Sequence, residues 1–414
     1  MQRREDVTVT TVVAGESVWK RMRQWAVAHA VDDFYQGLVP ASIPFFVLER
    51  HYSYVAASGL ALAANLGSSL PQPVLGVLVD RRRLLWMSPV GVSAAGIGAG
   101  LAGLAPPYWM VWTLLLMSGI GIAAFHPAAG RDARQAAGDS TAAMSLFAAG
   151  GSAGYFLAPA LATPVLTAWG VGATALFIPP AVLMGVMLWR HQRRAAAEAV
   201  GGRARTGRDR WRPFAVLTAL AVVRSIVFAG LGTFLALYWI RQLGASRILG
   251  GTALTALLVG GVLGTLCGGR IADRFGTLWT VRIGCAAVVP ALIAVRLVPD
   301  PVSGLALVVL VGVALNLPFA VLVKLGQDYL PTRPGTAAGV TMGLAVSAGG
   351  LFVPVFGVLA DARGTGAVLT ALCAVPVAAV LLGWLLPDPR RAKNPGRVSD
   401  SLLFSAPGGG RRNT

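Results

Sequence analysis

Two stretches decide the fold: Gly76-Val77-Leu78-Val79-Asp80-Arg81-Arg82-Arg83 and Gly269-Arg270-Ile271-Ala272-Asp273-Arg274-Phe275-Gly276. Each closes an apolar run of helix-crossing length and precedes another, so each marks a tight turn at one membrane face. The two aspartates stand 193 residues apart, and a second landmark, Gly154-x4-Pro159, returns as Gly349-x4-Pro354 at an offset of 195. Two landmarks at nearly one offset point to a duplicated unit. Two such bundles with a site between them describe a secondary transporter.

The rest of the chain is nearly all membrane. Of 414 residues, 55% are hydrophobic and 13% charged, with a mean hydropathy of +0.67. No soluble domain hides that much apolar surface, so a bilayer is its solvent. Twelve apolar spans are expected, near 25–48, 54–79, 85–105, 108–126, 142–166, 171–189, 214–239, 249–268, 279–297, 302–325, 336–359 and 367–386. The fold class is therefore an all-α membrane protein, twelve transmembrane helices in two pseudo-symmetric six-helix bundles.

Lys and Arg set the orientation. Placing the N-terminus in the cytoplasm puts 29 of them on that face and five opposite, with Arg224 left inside a span. Both ends are then expected in the cytoplasm, in an inner or plasma membrane, because a helical design is not that of an outer-membrane barrel. The net charge of +18 follows from this topology and from attraction to anionic headgroups, and needs no nucleic-acid partner. Residues 1–20 hold no apolar h-region, so no cleavable signal peptide is expected. Cys267, Cys285 and Cys373 each stand alone and give neither a disulfide frame nor a zinc spacing. No cofactor and no metal site is expected.

The expected domains are a cytoplasmic tail at 1–24, a first bundle at 25–189, and a basic cytoplasmic linker at 190–213. A second bundle follows at 214–386, then a disordered Pro/Gly/Ser/Arg-rich tail at 387–414.

In the paired signature, Gly76 and Gly269 let helices approach closely, and Asp80 and Asp273 at helix ends can accept hydrogen bonds from a neighbouring helix N-terminus. With Arg81 and Arg274 they form a candidate gate that holds one conformation closed; an ordinary helix end with positive-inside arginines is the plainer alternative. The signature resembles the loop between the second and third helices of the major facilitator superfamily, and the wider pattern resembles its fosmidomycin-resistance-type branch of drug exporters. The likeness rests on His29-x3-Asp33, Ser68-Ser69-x2-Gln72-Pro73-x2-Gly76, Phe125-His126-Pro127 closing the fourth span, Ser145-x-Phe147-x2-Gly150-Gly151, Arg224-Ser225, and Gln327-Asp328-x-Leu330-Pro331 after the tenth. It implies the major facilitator fold, a monomer, and a helix-end family motif at His126, Arg131, Gln327 and Asp328. Gly154-x3-Ala158-Pro159-x2-Ala162 is similar to the superfamily's antiporter motif, a bend that supports rocking and has its counterpart at Gly349 and Pro354. The chain departs from the branch at Ala128, Ala148 and Ser152, where a carboxylate and two amides are often found.

Among 17 acidic residues, only Asp32 and Asp33 lie well inside an apolar span. His29, Asp32, Asp33 and Gln36 form one helical stripe. An ionised carboxylate facing lipid costs several kcal/mol, so the stripe should face the bundle interior. Arg224 enters its span at a similar depth, which allows an ion pair with Asp33 across the bundles or, equally, a clamp on a substrate carboxylate or phosphonate. In the functional reading Asp33 or Asp32 carries a proton and His29 relays it; the alternative is a permanent structural pair. Asn65, Ser68, Ser69 and Gln72 make a second stripe, read as a polar wall of the central cavity, and Asn316 is a weaker candidate of the same kind.

Gly98-x-Gly100-x2-Gly103 and Gly150-x-Ser152-x-Gly154 match a dinucleotide fingerprint and a nucleophile elbow by letter, but both lie inside apolar helices without the required strand. A polytopic enzyme would need an acid/base set near one face, and none is present. The expected function is a proton-coupled antiporter exporting a small polar or amphipathic compound, with proton-coupled uptake of an organic acid as the alternative.

Overall fold

The computed structural model describes residues 17–82, 84–198 and 207–389. They form twelve helical crossings with no strand among the described residues. The first half holds α1 (Val18–Arg50), α2 (Tyr54–Ser69, then Gln72–Arg81 past a break at Leu70 and Pro71) and α3 (Met87–Ala102). It continues with α4 (Tyr108–Ala137), α5 (Thr141–Trp169) and α6, which enters through a 3-10 turn at Val171–Phe177 and runs over Ile178–Glu198. The second half holds α7 (Trp211–Arg241), α8 (Arg247–Phe275) and α9 (Thr277–Leu297). There follow α10 (Pro301–Asn316, then Phe319–Tyr329), α11 (within Pro334–Arg363) and α12 (Thr365–Leu385). Ten of the twelve are long and apolar enough to cross a bilayer; the others are α1, which carries the polar stripe, and the sixteen-residue α3.

Packing obeys the duplication. In the first half α1 lies on α5, α2 on α4, and α3 on both α4 and α6; in the second, α7 lies on α11, α8 on α10, and α9 on both α10 and α12. Small residues make these contacts close: a side chain at Gly154 would run into the Ala30 carbonyl on α1, and one at Gly264 into Val313 on α10. Serine hydroxyls close several helix starts, with Ser17, Ser140 and Ser246 accepting from Lys20, Ala143 and Leu249 N–H groups.

Several boundaries move. α1 begins at Val18, inside the stretch expected as a tail. α4 runs to Ala137 rather than stopping at 126: Pro127 removes only one ladder bond, and the Ala-Ala-Gly that follows packs well enough to carry the helix on. α6 continues to Glu198, so the expected 190–213 linker is helical over its first part. The remainder of the basic linker at 199–206, residues 1–16 and the tail beyond 389 lie outside the described residues. α11 is broken where α5 is not: a π-helical segment at Gly339–Leu344 and a break at Leu351 and Phe352, just before Pro354.

The halves meet through α2 and α4 against the start of α11, and through α5 against α8 and the end of α10. These contacts gather on the face where the described ends of the chain lie, here the terminal face.

Candidate functional site

A cavity of about 210 Å³ lies between the halves. α1 contributes His29, Asp33 and Gln36, α4 His126, and α5 Ala148, Ser152 and Tyr155; the second half supplies Arg224, Phe228, Asn316, Phe319 and Met342, among others. The ionisable side chains of the first half converge. His29 Nε2 lies 3.3 Å from His126 Nε2 and 3.4 Å from Asp33 Oδ2, and His126 Nε2 lies 3.2 Å from Asp33 Oδ1.

Both rings are held by their other nitrogen. His29 Nδ1 donates to the Phe147 carbonyl at 2.9 Å, and the ring stacks on Phe147 with centroids 4.3 Å apart. His126 Nδ1 donates to the Ile122 carbonyl at 2.9 Å. A carbonyl can only accept, so each Nδ1 carries a proton and each ring turns its Nε2 toward Asp33. Gly151 on α5 leaves the space above them: a side chain there would run into His29 Nε2 and Asp33 Oδ2.

The opposite wall is cationic. Arg224 is buried, donates from Nη1 to Asn316 Oδ1 at 3.2 Å, and sets its guanidinium 4.6 Å from the Phe319 ring centre. Among the described residues its Nε has no hydrogen-bond partner.

Below the cavity, paired caps join the two halves at the terminal face. Asp80, ending α2, accepts from Gly335 N at 2.7 Å, Thr336 N at 2.7 Å and Thr336 Oγ1 at 2.6 Å at the start of α11. Asp273, ending α8, accepts from Thr141 N at 2.7 Å, Ala142 N at 3.0 Å and Ser140 Oγ at 3.0 Å at the start of α5. Between them buried Arg134 donates to Asp328 at 2.6 Å, Lys324 to the same carboxylate at 2.9 Å, and Gln327 to the Gly130 carbonyl at 3.0 Å.

A family model described as Major Facilitator Superfamily matches residues 25–354. The chain belongs to that superfamily. It is 28% identical over 378 residues to the fosmidomycin resistance protein of Escherichia coli (strain K12), covering 88% of this chain and 92% of that one. An uncharacterized MFS-type transporter, YfnC of Bacillus subtilis (strain 168), is 27% identical over 393 residues, 92% and 95% of the two chains. Among solved structures, the E. coli fucose:proton symporter FucP superposes with a TM-score of 0.70 at 14% identity, covering 90% of this chain and 98% of that one. A bacterial homologue of the iron transporter ferroportin, in an outward-facing state, gives 0.69 at 15% identity, with 90% and 99% covered. These last two share the fold.

The transporter's site differs from the sequence expectation in four respects. Arg224 does not pair with Asp33; the ion-pair partners of Asp33 are His29 and His126. His126 is not at a helix end but eleven residues before it, in the cavity. Asp32 is fully buried and does not line the cavity; among the described residues its oxygens have no hydrogen-bond partner, and His126 Nδ1 lies 3.5 Å away. The stripe on α2 is not a cavity wall: Ser69 hydrogen-bonds Ser347 on α11, Gln72 donates to the Ser68 carbonyl, Ser68 to that of Asn65, and Asn65 is exposed.

Gln36 and Asn316 do line the cavity. Gln327 and Asp328 fall in the last turn of α10 rather than after it, and Arg131 donates to the Val79 carbonyl at 2.6 Å. Arg81 and Arg274 are exposed beside their aspartates. Gly76 and Gly269 sit at the seam, where side chains would meet Gly335 and Thr336, or Ala142 and Ser145. Gly154 and Pro159 lie in the unbroken α5 against α1, while Gly349 packs on Ser225 of α7. Sequence reasoning did not foresee Tyr155 and Phe319, whose only signal was helical phase relative to neighbours not yet known, whereas Ser152 stood out as a departure from the family pattern.

Proposed function

We propose that this transporter is a proton-coupled antiporter that exports a small polar or amphipathic compound, a drug or metabolite, by alternating access. The observation that carries the reading is the convergence of His29, Asp33 and His126 on a cavity between the halves. Three acceptors aimed at one another in an apolar surround require a cation, and a proton delivered from one side and released to the other is the simplest. Asp33, which lines the cavity, is the carrier; Asp32 supports His126 from behind, and His29 and His126 relay. Arg224 faces them across the substrate space, close enough to respond to what binds there.

The terminal-face caps act as the gate: with Asp80 and Asp273 in place the cavity is closed toward that face, and rocking the bundles about it requires both to release. The break of α11 between Gly349 and Pro354 allows that helix to yield. The excess of 29 basic residues over five assigns the terminal face to the cytoplasm, in contact with anionic headgroups, and the protein works as a monomer in the cytoplasmic membrane. Likeness to a fosmidomycin resistance protein favours export and a role in antibiotic resistance. The unpartnered Nε of Arg224 supports a second reading, proton-coupled uptake of an organic acid whose carboxylate Arg224 clamps.

The test is dissipation of an imposed pH gradient in inside-out vesicles on adding a compound panel that includes phosphonates and organic acids. Substrate-triggered proton release from the acidified lumen, lost in Asp33→Asn, is the expected result. Active accumulation surviving in both Asp33→Asn and Asp32→Asn would sink the coupling scheme.

A further inference from the structure

The same three side chains meet a stricter geometric condition than proton carriage needs. A tetrahedral ion with bonds of about 2.0–2.1 Å to His nitrogen and carboxylate oxygen separates its ligand atoms by roughly 3.3 Å. His29 Nε2 lies 3.3 Å from His126 Nε2 and 3.4 Å from Asp33 Oδ2, and His126 Nε2 lies 3.2 Å from Asp33 Oδ1, each separation close to that value. Each ring approaches a different oxygen of Asp33, and one ligand atom from each of the three side chains lies within 4.8 Å of the other two.

A single bound proton leaves one of these groups without a partner. If His126 donates from Nε2 to Asp33, the lone pair of His29 still faces both that carboxylate and the other ring. A cation lying between the three atoms satisfies every lone pair at once. Three further features point the same way. Both Nδ1–H groups are fixed on backbone carbonyls, the outer-shell arrangement that sets the tautomer of a metal-binding histidine. The Asp32 carboxylate stands 3.5 Å from His126 Nδ1, a negative charge behind the ring that favours a cation at its other nitrogen. Gly151 leaves unfilled the position over His29 Nε2 and Asp33 Oδ2 that a side chain would occupy.

We propose that His29, Asp33 and His126 bind a divalent transition-metal ion of zinc type in tetrahedral coordination, with the fourth position turned to the cavity. Two imidazoles and one carboxylate are the donor set of such an ion rather than of Ca²⁺ or Mg²⁺, which take oxygen ligands. The fourth ligand is water or an oxygen of an anion held in the cavity. This site uses the cavity of the proposed transporter but not its coupling scheme: proton and metal compete for the same lone pairs.

Co²⁺ titration of the full-length, chelator-treated, tag-free protein in lipid nanodiscs tests it, because the visible absorption of Co²⁺ is intense in four-coordinate sites and weak in six-coordinate ones. The expected result is one saturating equivalent with a four-coordinate spectrum, displaced by Zn²⁺. His126→Ala and His29→Ala should each weaken binding by at least the roughly 10–100-fold typical of losing even an outer-shell partner. Gly151→Ala, which keeps all three ligands but fills the ion's space, should also abolish the spectrum. Absence of a saturating four-coordinate spectrum in the wild-type protein overturns the proposal, as does a spectrum unchanged in both histidine variants. No gradient or substrate is present, so this outcome is independent of whether proton coupling holds in vesicles.

Discussion

Asp80 and Asp273 are copies of one device, and the structure treats them unequally. Each ends a helix of its own half and caps the first turn of a helix in the other, with two backbone N–H groups and one hydroxyl in its grasp. Asp80 is partly buried and its three bonds are 2.6–2.7 Å long; Asp273 is exposed and two of its bonds reach 3.0 Å. The chain ahead of α11 has a further anchor, because Asp209 accepts from Thr332 N at 3.1 Å and Thr332 Oγ1 at 2.6 Å and pairs with Arg333 at 3.3 Å. The α11 that Asp80 holds is π-helical one turn on, whereas the α5 that Asp273 holds is continuous. A yielding helix is thus gripped hard and a stiff one lightly. Duplication supplies the parts, and burial decides how much each contributes, since a charge-assisted bond strengthens as water is excluded.

Four substitutions probe this asymmetry, all read as the population open at the terminal face from spin-label distances between Arg82→Cys and Arg274→Cys in a background lacking the native cysteines. Asp80→Ala should have the largest effect. Charge-assisted hydrogen bonds contribute about 1.5–3 kcal/mol each, so losing three should raise the open population by well over tenfold. Asp273→Ala should act in the same direction but several-fold less, because its carboxylate is solvated. Equal effects would show that burial does not distinguish the two caps, and a larger effect at Asp273 would reverse the comparison. Thr336→Val removes only the hydroxyl bond and leaves both backbone donors on Asp80, for an expected shift of about 1.5 kcal/mol, or roughly tenfold. Asp209→Ala should shift the population least, under about threefold, since its bonds are exposed; a larger change would make the linker anchor a principal part of the closure.

Much of the fold was legible in the residues. The twelve crossings follow from apolar run length, and the duplication from two landmarks at nearly one offset. The paired aspartates were readable as cap acceptors because a short acid at a helix end has few other uses near hydrocarbon. The site was half legible. His29 and Asp33 announced themselves because ionisable groups inside an apolar span must face protein or water. His126 was misplaced because a proline and three charged residues follow it closely, which reads as the end of a helix; in the fold the helix absorbs them.

What the sequence determined alone is whatever depends on local pattern: how many times the chain crosses the bilayer, where it repeats, which residues are too polar to face lipid. Hydropathy and helical phase are properties of neighbours in the chain, so they are present before folding. Tertiary structure alone decided which polar groups meet. His29 and His126 are 97 residues apart, Arg224 found Asn316 and Phe319 rather than Asp33, and the α2 stripe turned to α11 rather than to the cavity. Those pairings depend on the rotation and approach of whole helices, set by small residues such as Gly151 and Gly154, where a single Cβ would push the helices apart.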